Sequence, residues 1–330
     1  MRHRLRFCRH ALPFRQPVRT AHGLWTERDV VLVRLTDEAG GEHYGEAAPI
    51  PWFGAGDADG VEQVLRGLGE WIDDSVWARL PADQPTLGFA LRSALGTPPP
   101  SAREHLPVAA LLPAGRVALS VLDERLEAGF RVFKWKVGVG DPADERVLLD
   151  DVLARLPGGA RLRLDANGAW DRRQAERWLA CAAERPIEFI EQPVAPGNDD
   201  LLLGLAGDFP TPLALDESLV IDADVERWLD LGWPGLFVIK PCLLADPAAA
   251  LARLAAADAD VVFSSALETA IGARAALRLA FGWTGAPRAL GFGVWPLFDT
   301  TACNGPSAAP FIRATDVERI DPAAAWAALA

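Results

Sequence analysis

From residue 106 onward, short apolar runs recur about every 25 residues, and segments with helical periodicity separate them. The helical segments include 117–128, 171–183 and 223–231. The predicted strands are Leu106–Leu112, Val132–Val137, Arg161–Ala166, Ile187–Gln192, Pro212–Glu217, Leu236–Pro241, Asp260–Ser265 and Arg288–Val294. Eight strand–helix units predict an α/β fold, a modified (β/α) barrel of the TIM type. An open doubly wound sheet is the alternative, but no G-x-G-x-x-G motif follows the first strand.

The first hundred residues have a different pattern. A strand-like run at 30–35, a turn at 37–41 and a partner strand at 43–48 predict a hairpin, and 61–72 is predicted to be a helix. The Pro-rich stretch 97–101 is a plausible boundary. We therefore expect an α+β domain over 1–105, joined by the C-terminal segment 296–330, and a barrel over 106–295.

Composition excludes several classes of protein. The chain has 330 residues, a formal net charge of −12 and no basic stripe, so nucleic acid is not expected as a partner. The four cysteines are far apart and lack the spacing of a metal site or a disulfide framework. No apolar run is long enough for a signal peptide or a membrane span. A cytoplasmic protein without a membrane partner is therefore expected.

Charged residues end five consecutive predicted strands, at about the same place in each unit. They are Lys136, Asp165, Glu191, Asp216 and Lys240. In a barrel this place is the carboxyl-terminal mouth, where catalytic residues gather. Three carboxylates that converge there would repel one another unless a cation lay between them, and oxygen ligands favour a hard ion such as Mg²⁺. Solvated strand-end charges are the alternative, but five charges in phase with the order plus, minus, minus, minus, plus argue against it.

This charge pattern indicates proton abstraction next to a carboxylate. Such a proton is weakly acidic, so its removal needs a base and stabilisation of the developing negative charge, which a divalent ion supplies. Lys134 and Lys136 are two residues apart and point to the same side of their strand. A lysine can be the base if neighbouring cations and burial lower its pKa, and Lys134, next to Lys136, is a candidate for that lowering. Lys240, across the site, could act as a second base, an acid or a fixed cation.

At this point the sequence resembles the muconate-lactonizing branch of the enolase superfamily. The segments that carry the resemblance are Lys134–Lys136, Leu164-Asp-Ala-Asn167, Glu191-Gln-Pro193, Leu215-Asp-Glu-Ser218, Ile239-Lys-Pro241 and, in the N-terminal region, Gly45-Glu-Ala-Ala-Pro49. The resemblance covers the whole chain and implies that the N-terminal domain caps the barrel. Loops 20–23 and 49–54, the second with Trp52 and Phe53, would close over the mouth.

The resemblance also implies a role for each matching residue. Asp165, Glu191 and Asp216 would bind Mg²⁺. Lys136 would remove the α-proton and return it to the departing hydroxyl, Lys240 would stabilise the enolate, and Lys134 would tune Lys136. The implied substrate or supporting contacts are Asn167, Ser264, Ser265 and Arg163, the last expected to lie inward and below the metal.

Several activities share this residue set. The segments Ser264-Ser-Ala-Leu-Glu268 and Leu290-Gly-Phe-Gly293 resemble the branch's dehydratase of menaquinone biosynthesis, a carbon–oxygen lyase. The eighth strand also lacks the Asp-x-Asp pair by which the branch's dipeptide epimerases hold a substrate ammonium, because Asp299 stands alone. Dipeptide epimerase, N-acylamino acid racemase and muconate cycloisomerase remain alternatives on the same scaffold. A catalytically inactive barrel kept for binding is disfavoured by the intact set, and a Schiff-base aldolase on Lys240 would not need three carboxylates. The expected partner is a small carboxylate substrate, and homo-oligomerisation stays open.

Overall fold

The computed structural model describes residues 1–20 and 22–330 and contains two main sheets. The first is an antiparallel sheet with strand order β3-β2-β1-β4. Its elements, with the two helices that follow its strands, are β1 (His3–Thr20), β2 (Gly23–Thr36), β3 (Glu42–Ala47), α1 (Ala58–Leu68), β4 (Trp71–Ile72) and α2 (Pro85–Leu95).

Strand β2 is buried on both faces, which explains its unbroken apolar run. Val31 and Val33 face helices α1 and α2, whereas Val30 and Leu32 face the opposite side. On that side they join a cluster that contains Trp326, from the C-terminal end of the chain. The sheet therefore lies between its own helices and the rest of the molecule, as expected when side chains alternate along a strand.

The second sheet is parallel and carries the repeating units, with β12-β11-β10-β9-β8-β7-β6 as its strand order. Its strands are β6 (Ala110–Leu112), β7 (Val132–Lys136), β8 (Arg161–Asp165), β9 (Ile187–Glu191), β10 (Leu213–Leu215), β11 (Leu236–Ile239) and β12 (Val261–Phe263). A separate antiparallel pair of strands joins β5 (His105–Pro107) to β13 (Phe311–Arg313). The helices are α3 (Val117–Glu127), α4 (Pro142–Arg155), α5 (Arg172–Ala182), α6 (Asp199–Asp208), α7 (Asp222–Asp230), α8 (Pro247–Ala256), α9 (Ala270–Gly282), α10 (Ala314–Glu318) and α11 (Pro322–Leu329).

The predicted eighth strand, 288–294, is only a short bridge in the structure. Leu290 pairs with Val108 next to β6, and Gly291 pairs with Ser264 just after β12. Main-chain hydrogen bonds from this segment reach both edges of the seven-stranded sheet. The curled sheet is thereby closed, and the TIM-like fold class predicted from the sequence is confirmed. The predicted domain boundaries stay predictions.

The helix predicted at 61–72 differs from the structure. Helix α1 begins three residues earlier, where Asp57 caps it by accepting from the backbone N–H of Gly60. It ends at Leu68 because Gly69 takes a positive φ of 84°. Ile72 then pairs with His3 as a strand residue. Long strand β1 was not predicted, because its polar residues conceal its alternation. No helix in the described part of the chain combines the length and apolar character needed to cross a membrane.

A buried ion pair ties the lower part of the barrel together. The Arg163 guanidinium donates to Glu188 at 2.7 Å and to the carbonyl of Ala289, 2.8 Å away. Ala289 lies in the closing segment, so this side chain links β8 to β9 and to the eighth position. Arg161 contacts the same carboxylate at 3.4 Å, but its side chain is 60% exposed whereas that of Arg163 is 1% exposed.

We expect Arg163→Met to lower the free energy of unfolding by about 3 kcal/mol, because it removes a buried partner of Glu188. Arg161→Met is the matched control and should cost less than about 1 kcal/mol, since an exposed ion pair is screened by water. Urea unfolding followed by tryptophan fluorescence measures both. Equal losses in the two variants would contradict the role given to Arg163.

Candidate active site

The mouth of the barrel is built by strand alternation in β7. Phe133 and Trp135 are fully buried beneath the surrounding helices, whereas Lys134 and Lys136 between them are only partly buried and share the opposite face. Lys136 pairs in register with Asp165, which in turn pairs with Glu191. The predicted alignment of charges on neighbouring strands is therefore present at these three positions.

Two of the three carboxylates share one ammonium group. Lys134 Nζ lies 2.9 Å from Asp165 Oδ2 and 2.5 Å from Glu191 Oε1. Asp216 instead forms an ion pair with Lys240. Among the residues that the structure describes, no three acidic, histidine or cysteine side chains are arranged closely enough to hold a metal ion. The three acids are thus distributed over two ion-paired groups, one around Lys134 and one at Lys240, and their role as metal ligands stays a prediction.

The same contacts correct the expectation for Lys134. Burial alone would lower its pKa, but the charges of Asp165 and Glu191 outweigh burial and raise it. Lys134 is consequently held as a cation between two acids and is not a candidate base in this arrangement. For Lys240, burial and the nearby Lys134 charge lower the pKa to about 8.

Burial acts on the acidic groups at the mouth in the opposite direction, because it raises their pKa values. Burial raises the pKa of Glu191, although Lys134 opposes the shift. Glu217, which follows Asp216, has a pKa raised to about 7 by burial and by the charge of Asp165. One Glu217 oxygen accepts from the Asn167 amide at 2.9 Å, and the other is buried without a hydrogen-bond partner among the described residues. This site therefore holds more buried negative charge than its lysines satisfy.

Gln192 positions Asp216, a role that sequence reasoning missed. Its side-chain oxygen accepts from the backbone N–H of Asp216 at 3.0 Å and of Ser218 at 3.1 Å. Its amide group donates to Val194 O and to the Ser218 hydroxyl. Gln192 is fully buried and takes a positive φ of 37°, which directs its side chain between two strand ends. The signal for this role is Gln192 itself, an amide between the acidic strand end and the proline of Glu191-Gln-Pro193.

The remaining predicted site residues have separate places. Asn167 lies at the mouth, where its backbone N–H donates to Asp165. The Ser265 hydroxyl donates to Glu268, and the Ser264 hydroxyl lies 3.5 Å from Gly291 O. Arg163, predicted as inward and below the metal, is occupied by Glu188 and Ala289 O, so its contacts are structural.

The N-terminal domain reaches the mouth through two loops. Lys136 Nζ donates to the carbonyl of Arg19 at 3.3 Å, and the Phe53 ring lies 5.9 Å from Lys240 Nζ. Trp52 stacks on His22, with ring centroids 5.2 Å apart. Of the predicted loop 20–23, Ala21 lies outside the described residues. Phe53 therefore lines the mouth directly, beside Lys240, while Trp52 supports the other loop.

A further signal in the sequence was overlooked. The chain has 33 basic residues, and only three of them are lysines: Lys134, Lys136 and Lys240. Arginine supplies the positive charge everywhere else, but arginine cannot release its proton in a protein. Retention of lysine only at the mouth indicates that an amine able to exchange a proton is needed there.

Comparison with known proteins places the chain in a family. Residues 118–306 match the model of the enolase C-terminal domain-like family, and the chain belongs to that family. The resemblance to the muconate-lactonizing branch of the enolase superfamily is thereby confirmed.

Within this family, the chain is similar to several characterised enzymes and solved structures. The chain is 41% identical over 290 residues to the o-succinylbenzoate synthase of Thermosynechococcus vestitus, covering 86% of this chain and 89% of that protein. The crystal structure of o-succinylbenzoate synthase from Thermosynechococcus elongatus BP-1, with Mg in its active site, matches with a TM-score of 0.83 and 38% identity over 96% of this chain and 98% of that one. A hydrophobic dipeptide epimerase of Roseobacter litoralis is 32% identical over 235 residues, 64% of this chain and 67% of that protein.

We expect Gln192→Met to lower the free energy of unfolding by about 3 kcal/mol, because the buried N–H groups of Asp216 and Ser218 lose their acceptor. Gln63→Met, an exposed position on α1, is the control and should change stability little. Chemical denaturation of both variants measures the difference. A loss for Gln192→Met no larger than that of the control would remove its positioning role.

Proposed function

We propose that this enzyme is an o-succinylbenzoate synthase, a Mg²⁺-dependent carbon–oxygen lyase of menaquinone biosynthesis that acts in the cytoplasm. The observation that carries the proposal is the 41% identity to an enzyme of that name over 86% of the chain. The sequence motifs led to the same expectation, a dehydratase. Its substrate would be a cyclohexadiene carboxylate with a hydroxyl group next to the carbon that loses the proton.

The donor set fits a hard divalent cation. Asp165, Glu191 and Asp216 would hold Mg²⁺ through carboxylate oxygens, the ligands that this ion prefers. The buried unpartnered oxygen of Glu217 and the position of the Lys134 ammonium between two acids support a demand for positive charge at this place. Bound Mg²⁺ would supply electrostatic stabilisation of the substrate carboxylate as negative charge develops on it.

Lys136 is the proposed base and acid. Its Nζ makes no ion pair with a described carboxylate and is held at the mouth by one carbonyl, that of Arg19. A neutral amine there takes the proton from the carbon next to the substrate carboxylate. The resulting ammonium then gives a proton to the departing hydroxyl, so that one C–H and one C–O bond break, a C=C bond forms and water leaves. The product ring becomes aromatic, which favours the elimination.

Lys240 has a different proposed role on the opposite flank. It lies against Asp216 and close to the Phe53 ring, so it would present a fixed positive charge to one face of the substrate. Lys134 would set the electrostatic field around Lys136, because it is the nearest cation on the same face of β7. Asn167, Ser264 and Ser265 remain proposed contacts of the substrate or of its supporting shell.

Dipeptide epimerisation is the second candidate function, because the chain is also similar to the Roseobacter dipeptide epimerase. Recognition of a dipeptide would need a carboxylate that faces the substrate ammonium. Asp299, the lone acid near the eighth position, has a side chain that is 89% exposed and pairs with Arg15 at 3.3 Å. This arrangement favours the dehydratase.

Direct assay of the purified protein with Mg²⁺ tests the two functions against each other. The menaquinone-pathway cyclohexadiene carboxylate should be dehydrated, with product followed by the appearance of aromatic absorbance. A panel of dipeptides, followed by exchange of the α-hydrogen in D₂O, should show little turnover. Rapid epimerisation without dehydration would overturn the proposed function.

We expect Lys136→Ala to reduce kcat by about 10²- to 10⁴-fold, because the group that removes the proton is lost. Lys136→Arg should be equally impaired, since it keeps the charge but cannot accept a proton. Single-turnover kinetics and Mg²⁺ titration measure the loss and show that metal binding survives. Substantial activity in the arginine variant would mean that Lys136 acts only as a cation.

We expect Asp216→Asn to weaken Mg²⁺ binding at least about tenfold, because a charged oxygen ligand becomes neutral. Asp258→Asn is the matched control: Asp258 is exposed and has a positive φ of 51°, a conformation that asparagine tolerates. Isothermal titration calorimetry with Mg²⁺ measures both affinities. Unchanged affinity in Asp216→Asn would remove this residue from the proposed ligands.

A further inference from the structure

A fully buried arginine joins the N-terminal sheet to the barrel. Arg28, on β2, donates to the carbonyls of Ala48 and Pro49 in its own domain. It also donates to Ala266 O and Leu267 O, each at 3.2 Å, in the loop after β12. A buried guanidinium is costly unless its N–H groups are satisfied, and here main-chain oxygens from both parts of the molecule satisfy them.

A buried glutamate makes a second connection beside it. Glu46, on β3, accepts from the backbone N–H of Thr269 at 2.8 Å, from the Thr269 hydroxyl and from the backbone N–H of Gly272 at 2.8 Å. These donors belong to the start of α9. A Cβ atom at Gly272 would lie 2.9 Å from the Glu46 carboxylate, so the close approach depends on glycine at that position. The carboxylate thus occupies the N-terminal end of a barrel helix.

The loop between these two connections carries the predicted substrate-contact serines. Within it, Glu268 is fully buried and accepts from the Ser265 hydroxyl at 3.1 Å and from the Ala266 N–H at 2.6 Å. Leu267 takes a positive φ of 60°, which is unfavourable for a residue with a branched side chain. Such a conformation persists only where surrounding contacts impose it, and Arg28 holds the Leu267 carbonyl.

The charges in this cluster depend on one another. Burial lowers the pKa of Arg28 to about 10, and Glu46 is the largest opposing influence. Burial raises the pKa of Glu46, and it raises that of Glu268 to about 7. Separation of the two domains would take Arg28 away from the Ala266 and Leu267 carbonyls. It would also take Glu46 away from its donors at the start of α9.

We propose that Arg28 and Glu46 form an interdomain clamp that holds loop 264–268 in its catalytic conformation, so that Arg28 is a positioning residue for the dehydration. The catalytic part of this inference rests on the proposed function. Through the clamp, the domain that provides the loops over the mouth also determines where Ser264 and Ser265 stand. Arg28 and Glu46 are both fully buried, so they would act on the reaction through the loop.

Arg28→Lys tests the clamp, because lysine keeps the charge but cannot reach carbonyls on both sides with one ammonium group. Amide hydrogen exchange over 264–268 should accelerate at least tenfold, while exchange in β8 stays unchanged. The kcat should fall at least tenfold, with Mg²⁺ affinity preserved. Arg34→Lys is the matched control on the same strand, where Arg34 contacts Glu42 and the Trp326 ring, and it should alter neither quantity.

Ser265→Ala extends the test to the coupling itself. If Arg28 acts through the loop, the double variant Arg28→Lys/Ser265→Ala should have a kcat no lower than that of the worse single variant. Should Arg28→Lys fail to fold, Glu46→Gln replaces it, because glutamine retains the shape and one acceptor oxygen; faster exchange over 264–268 is again expected.

Several results would overturn the clamp. One is loop exchange in Arg28→Lys, or in Glu46→Gln, that matches Arg34→Lys. Another is a lower melting temperature with normal kcat in the folded enzyme, which would make Arg28 merely structural. Multiplicative losses in the double variant would likewise separate Arg28 from the loop. Exchange is measured on the free protein, so absence of dehydration in the unmodified enzyme would refute the proposed function without deciding the clamp.

Discussion

Buried negative charge at the mouth of the barrel is the constraint on which the rest of the site depends. Asp165, Glu191 and Asp216 are all at least nine-tenths buried, where an ionised carboxylate is costly without a cation. Lys134 pairs with Asp165 and Glu191 in the structure, and Lys240 pairs with Asp216. Because burial of these charges costs free energy, we infer that they persist for the chemistry and not because they stabilise the barrel.

The same principle recurs at the interface between the two parts of the molecule. Arg28, Glu46 and Glu268 are removed from water, yet hydrogen bonds to backbone groups compensate most of the cost. Hydrogen bonds to such groups depend on distance and direction, so these groups tolerate little displacement of their partners. Buried charges therefore lie in three places: below the mouth at Arg163, at the mouth itself, and at the loop 264–268. Different strands hold the charged groups in each place.

Much of this could be predicted from the sequence, and the limits have physical reasons. Barrel strands are buried on both faces, so their apolar runs and charged ends were visible, and the register of Lys136, Asp165 and Glu191 followed from the spacing. The eighth strand, predicted over 288–294, is only a two-residue bridge at Leu290 and Gly291. An apolar run in the sequence does not show how many of its residues pair with neighbouring strands. The pairing of Lys134 and Lys240 with the acids could not be predicted, since periodicity indicates which strand end a side chain occupies but not which partner it binds. Arg28 gave no signal at all: in the sequence it resembles any polar residue at the start of a strand, and its burial depends on a loop 239 residues away.

The distribution of amines has a consequence for how this molecule can be studied. Every lysine lies at the mouth, so the only other primary amine of the 330-residue chain is its amino terminus. Reagents that acylate or alkylate amines would therefore label the reaction centre and one chain end, and the thirty remaining cationic side chains would be left untouched. In this chain, an ordinary protein-labelling reaction becomes a selective reporter of whether the barrel mouth is open, covered or filled.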